Sequence, residues 1–191
     1  MTMPYLMHVT WLSIVLCVAV SSTTLAGAED SRLVIKDVGN TFELTVPVSR
    51  LILSVPKGGL AIGTNKRGGG TENPRYFYLT DAGEGLIVSG WFEPSARYTD
   101  LGDSWKQEME HMKKQGFPAP ENVERSEIGT WRAILYNFPL PNGSSAHVRA
   151  SYLGAGTWID LHASISSTRP GSESRKQVEA LVRSMQIREK Q

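Results

Sequence analysis

Residues Ser145–Ser166 read SAHVRASYLGAGTWIDLHASIS, two alternating runs joined at Leu153-Gly154-Ala155-Gly156. A connection this short forces the two strands to pair antiparallel, because a parallel pair needs a long crossover. Side chains alternate between the faces of a strand. Val148, Ala150, Ile159, Leu161, Ala163 and Ile165 therefore share one face, which would meet a core. His147, Arg149, Ser151, Trp158, Asp160 and His162 share the other. A two-residue turn at Gly154-Ala155 sets His147 opposite His162, Arg149 opposite Asp160 and Ser151 opposite Trp158. A slip of one residue would instead turn the histidines toward the core.

The rest of the chain adds more of the same. Thr41–Val48 alternates Phe42, Leu44 and Val46 with polar residues, and Pro47 marks an edge or a strand end. Leu51–Val55 and Leu60–Gly63 are two further short strands. Arg75–Thr80 and Gly85–Glu93 form a hairpin around Asp81-Ala82-Gly83-Glu84, with Phe77, Leu79, Leu86 and Val88 on one face. Tyr76, Tyr78, Ile87, Ser89 and Trp91 lie on the other, where exposure would make an aromatic platform. Val123–Ile128 and Trp131–Phe138 meet at Gly129. The turn Pro139–Ser144 pairs Phe138 with Ser145, which sets Tyr136 beside His147 and Arg132 beside Ser151.

Two stretches have helical spacing. Trp105, Met109 and Met112 form an apolar stripe that starts at a cap on Asp103 or Ser104, and Gly116 and Pro118 end it. Val178, Leu181, Val182 and Met185 form a second stripe after Pro170-Gly171, capped by Ser172 or Ser174. The order strands, helix, strands, helix predicts an α+β fold. It is a single domain with an antiparallel sheet, one face of which meets a mid-chain and a C-terminal helix.

Residues 1–28 contain no Lys, Arg, Asp or Glu, and Trp11–Val20 is an apolar run too short to span a bilayer. Small residues Ala26-Gly27-Ala28 follow. This pattern predicts a secretory signal peptide over residues 1–28, cut after Ala28, although no basic side chain precedes the apolar run. Residues 29–191 are then the single α+β domain, exported to the periplasm or secreted, with no transmembrane segment after signal removal. Cys17, the one cysteine, falls inside the signal. The mature chain would then have no disulfide, thiolate nucleophile or cysteine metal ligand. The net charge of +1 supplies no basic excess for nucleic acid.

The polar face of the hairpin is the candidate binding site: His147, Arg149, Asp160 and His162, with Tyr136 and Arg132 as neighbours. Two imidazoles facing each other across a strand pair are close enough to share a divalent metal. His147 and His162 are therefore the candidate metal ligands, and no other cofactor is expected. The plain alternative is a solvated sheet face carrying an Arg149–Asp160 ion pair, since antiparallel sheets often leave one face wet. Glu108 and His111 have the i, i+3 spacing of di-metal helices, but the second copy such sites need is missing, so a helix-surface pair is expected. Lys66-Arg67-Gly68-Gly69-Gly70 lacks the ending of a phosphate loop and reads as an ordinary loop. No Gly-x-Ser-x-Gly elbow is present.

The element order and the opening Phe42-Glu43-Leu44-x-x-Pro47 resemble the PsbP-like fold, found also in the nuclear-transport factor Mog and in bacterial envelope proteins of the DcrB type. Asn73–Phe77, Ser89–Pro94 and Trp158–His162 resemble segments of a family of exported bacterial proteins with no assigned activity. The resemblance implies a non-catalytic accessory role and assigns no residue. The expectation is a binding or accessory protein for a protein partner or envelope component. The alternative is a metal-binding protein or metal-dependent enzyme built on the histidine pair.

Overall fold

The computed structural model describes residues 32–63 and 74–190. Residues 1–28, where a signal peptide is expected, and the Lys66–Gly70 segment lie outside the described residues. In chain order the elements are β1 (Val34–Val38), β2 (Thr41–Thr45), β3 (Leu51–Pro56), β4 (Ala61–Ile62), β5 (Tyr76–Asp81), β6 (Leu86–Pro94), α1 (Leu101–Lys114), β7 (Glu121–Ile128), β8 (Trp131–Leu140), β9 (Gly143–Gly154), β10 (Thr157–Ser167), α2 (Gly171–Ser184) and β11 (Gln186–Glu189). The α+β class and both helices stand as the hydrophobic periods indicate.

The strands form two antiparallel sheets rather than one. The larger has the order β4-β5-β6-β10-β9-β8-β7, and the smaller β1-β2-β3-β11. β1 and β11 are the elements that periodicity does not reveal. β1 is mostly exposed, so it has no clean alternation to read. β11 has four residues and gains its shape by pairing with β3. Pro47 lies just beyond the end of β2, where no ladder donor is needed.

One face of the large sheet, the small sheet and α2 share a single apolar core. Leu44 and Leu53 from the small sheet meet Leu79, Val148 and Leu161 from the large one, with Val178 and Val182 from α2, all fully buried. Ser49 and Thr157 join the two sheets through hydroxyls 2.7 Å apart. Helix α1 lies on the opposite face of the large sheet. There Leu101, Trp105 and Met112 pack on Ile134, Tyr136 and Phe138, a small cluster apart from the core. The expectation that both helices share one face is thus corrected. The inward side chains of β8 alternate, so Ala133 and Leu135 serve the core while Ile134 and Tyr136 serve α1.

Gly90 fixes how closely β6 and β10 approach. It pairs with Leu161, and a Cβ there would stand 2.2 Å from the Asp160 backbone oxygen and 2.8 Å from the Phe77 ring. One neighbour is backbone and the other a fully buried ring, so Gly90→Ala is expected to destabilise the fold by about 1–3 kcal/mol through overpacking. Urea unfolding of the variant measures this, and an unchanged midpoint would refute it.

Candidate functional site

The register of the β9–β10 hairpin differs from expectation. Gly154 pairs with Thr157, so the turn residues are Ala155 and Gly156. Both have positive φ, 46° and 73°, as a two-residue turn of the favoured hairpin type requires. Glycine at the second of these positions meets that demand without a Cβ, which is why the turn sits one residue later than a Gly154-Ala155 reading places it. His162 accordingly opposes Arg149, Asp160 opposes Ser151, and Ser164 opposes His147. Moving the turn by one residue moves the register by two, so every side chain keeps its face. The β8–β9 register is as expected, with Tyr136 opposite His147 and Arg132 opposite Ser151.

The histidines meet diagonally rather than directly. His147 Nδ1 is 3.0 Å from His162 Nε2, and the rings are nearly parallel at 12° with centroids 5.3 Å apart. One imidazole donates to the other. Tyr136 continues the stack, 4.8 Å from His147 at 9°, and Trp105 from α1 closes it at 4.6 Å from Tyr136. Arg149 and Asp160 also meet, Nη2 to Oδ2 at 3.2 Å.

This face is not solvated, and the physical reason is α1. The helix brings Glu108 down onto Arg149, with Oε2 3.1 Å from Nε. The side chains of Arg149, Asp160 and Glu108 are 16%, 13% and 26% exposed, which makes a largely desolvated carboxylate–guanidinium–carboxylate row. Burial pushes the Glu108 carboxyl up, against the pull of Arg149. It does the same to Asp160. Burial lowers His147 to about 4, and burial together with the neighbouring His147 and Arg149 lowers His162 well below its ordinary value. Both imidazoles are therefore neutral at pH 7. Burial is also the main cause that raises the Tyr136 phenol.

Of the sequence candidates, the fold joins His147, His162, Tyr136, Arg149 and Asp160. Arg132 stands apart. Its guanidinium binds the Tyr98 hydroxyl at 2.9 Å and Asp100 at 3.2 Å, beside the start of α1. Asp100, not Asp103 or Ser104, caps the helix, accepting from the Gly102 N–H at 2.8 Å. Its carboxyl is held low by that backbone bond. At the far end Gly116, with φ 78°, ends α1 in a Schellman arrangement: the Phe117 N–H reaches Met112 O and the Gly116 N–H reaches Lys113 O.

Sequence reasoning missed Glu108 as a site residue. Glu108 and His111 do not act together, since His111 turns outward to Gln115 at 2.9 Å. The signal that finds Glu108 is its place seven residues after Leu101 and between Trp105 and Met112, on the inward stripe. Trp91 packs against Tyr76 at 5.0 Å, and the indole of Trp158 donates to Ser151 at 3.0 Å.

Open cavities lie elsewhere among the described residues. One, of about 390 Å³, is lined by Asp100, Gly102, Arg125, Glu127 and Arg132 at the start of α1. Another, of about 760 Å³, lies between β7 and α2 and is lined by Glu124, Asn137, Ser144, Ser172 and Arg175. Among the described residues no three His, Cys, Asp or Glu side chains are grouped to hold a metal ion, and no helix is long and apolar enough to cross a membrane. No protein-family model and no curated protein matches this chain.

Proposed function

We propose that this chain is an exported, non-catalytic binding or accessory protein acting on a protein partner or another envelope component, with a PsbP-like fold. The observation that supports this reading is the state of its ionisable residues. The set that converges, Glu108, Arg149, Asp160, His147 and His162, lies beneath a helix with its charges paired internally. Two pairs at the open cavities are also closed internally, Arg132 with Asp100 and Arg175 with Glu124. Such an arrangement suits recognition better than proton transfer. Cell fractionation tests export. Capture of partners from periplasmic extract by the mature chain, repeated reciprocally with each partner tagged, tests the binding role. Reciprocal capture of one partner supports it. A hydrolytic or transfer activity that survives purification and is lost on mutation of this cluster would overturn it.

The 3.0 Å contact between the histidines favours one second reading, a metal-binding protein using His147 and His162. An imidazole pair can provide two ligands, but stable sites use three or four. The expected calorimetric result is that zinc and copper titrate the wild type and a His147→Ala/His162→Ala variant alike. Stoichiometric binding lost in the variant would establish the metal reading instead.

A further inference from the structure

We propose that α1 is a lid that lifts from the large sheet independently of the core, and that the floor beneath it, Arg149 with His147 and His162, is a site for a carboxylate ligand whose place Glu108 takes in the closed state. The inference rests on reading the chain as a binding protein, and names the ligand chemistry of the converging cluster.

Three observations carry it. The first is how each helix is attached. α2 inserts Val178 and Val182 fully into the core. α1 contributes nothing to that core: its most buried apolar side chain is Leu101, and Trp105 and Met112 are only partly covered. Elements with few buried apolar contacts open locally at far lower cost than the fold as a whole.

The second is unmet polar demand under the lid. Among the described residues, His147 Nε2 is buried without a hydrogen-bond partner, and Glu108 Oε2 meets Arg149 as an ion contact without an aligned hydrogen bond. Unsatisfied buried groups in a native fold call for an explanation. A floor adapted to a different occupant supplies one.

The third is the geometry of Arg149. Its Nη2 is committed to Asp160 and its Nε faces the lid. A guanidinium binds a carboxylate best through two parallel N–H donors. The tethered Glu108 reaches Nε alone, whereas a free carboxylate can take Nε together with the second N–H of Nη2, the other N–H staying on Asp160. His147 Nε2 stands on the same face for a further contact. At the C-terminal end of the lid, Gly116 has the left-handed backbone with open space around it, and Phe117-Pro118-Ala119-Pro120 follows. This stretch can swing without breaking a strand.

Hydrogen exchange on the folded chain tests the lid. Amides of α1 are expected to exchange at least tenfold faster than those of β9 and β10, in an opening that exposes little surface. Sodium acetate tests the floor, with sodium chloride at equal ionic strength as control. In Glu108→Ala, acetate is expected to slow α1 exchange saturably, by threefold or more. It should speed α1 exchange in wild type, where acetate reaches the floor only in the lifted state, and leave Glu108→Ala/Arg149→Gln unchanged. Glu108→Gln, which keeps the packing, provides the same comparison if the alanine variant does not fold. Exchange of α1 in step with β9 and β10 would overturn the lid. An acetate effect equal to that of chloride in a folded Glu108 variant would overturn the carboxylate site. Acetate occupancy together with failed reciprocal capture would remove the accessory role while leaving the lid and its ligand class standing.

Discussion

Arg149→Met is expected to destabilise this protein by about 3–5 kcal/mol, because removing one partner of a buried ionic group strands the others. For a chain of this size the thermal midpoint falls by about 10 °C. Two carboxylates would be left beside each other, Glu108 and Asp160, and both are already pushed up by burial with Arg149 in place. Without the guanidinium they must take up protons or admit water. The loss should therefore be greatest near pH 7 and shrink toward pH 5, as protonation relieves the stranded charge. Single truncation of Glu108 should cost less, because Arg149 keeps its 3.2 Å contact with Asp160 and Glu108 is the most exposed of the three. Simultaneous replacement of all three by apolar residues of similar volume should restore most of the loss. Urea unfolding at pH 7 and pH 5 measures each quantity. An Arg149→Met variant within about 0.5 kcal/mol of wild type would mean that α1 does not desolvate the row.

The second large effect is acid lability traced to the imidazoles. In the unfolded chain each histidine takes a proton near pH 6.5. In the fold His147 does so only near pH 4, and His162 lies well below its ordinary value. The unfolded state then binds more protons as the pH falls through 6.5, so stability present above that pH drains away on acidification. Each tenfold difference in proton affinity between the folded and unfolded chain is worth about 1.4 kcal/mol, so His147 alone accounts for about 3 kcal/mol between pH 6.5 and 4. Glu108 and Asp160 act in the opposite sense. Their folded pKa values are raised, so their contribution is present at low pH and is lost as pH rises through those values. They soften the acid loss. A His147→Phe/His162→Leu variant keeps the ring stack on Tyr136 and removes both protonation sites. Its stability should change far less than that of the wild type between pH 7 and pH 5. Equal slopes would show that the imidazoles titrate freely in the fold.

Both results depend on a cluster only half of which is legible before folding. The face carrying His147, Arg149, Asp160 and His162 follows from strand parity alone, and the two-residue change in register left it intact. Tyr136 follows from the β8–β9 turn. Glu108 was hidden by a local error with a physical origin. Placing the cap of α1 at Asp103 or Ser104 removes Leu101 from the helix, and with it the first member of the stripe on which Glu108 falls. The true cap, Asp100, offers the same side-chain chemistry as Asp103, and it prevails because Arg132 on β8 holds its second oxygen. That contact crosses from one element to another and has no counterpart in the spacing of residues along the chain.

The division between the two levels follows from the range of the forces. Alternation, turn chemistry and helix termination act over a few residues. The amino-acid sequence by itself therefore determined the hairpins, the inward set Val148, Ile159 and Leu161, the stop at Gly116 and the stripe of α2. The tertiary structure decided the rest. It split the strands into two sheets, recruited Gln186–Glu189 to the edge of β3 and laid α1 across the polar face. A half-apolar helix buries its stripe on whichever surface offers complementary apolar side chains. Ile134, Tyr136 and Phe138 offer it on the outer face of the large sheet, beside the row of His147, Arg149, Asp160 and His162. That choice turned a face read as open to water into a closed ionic cluster.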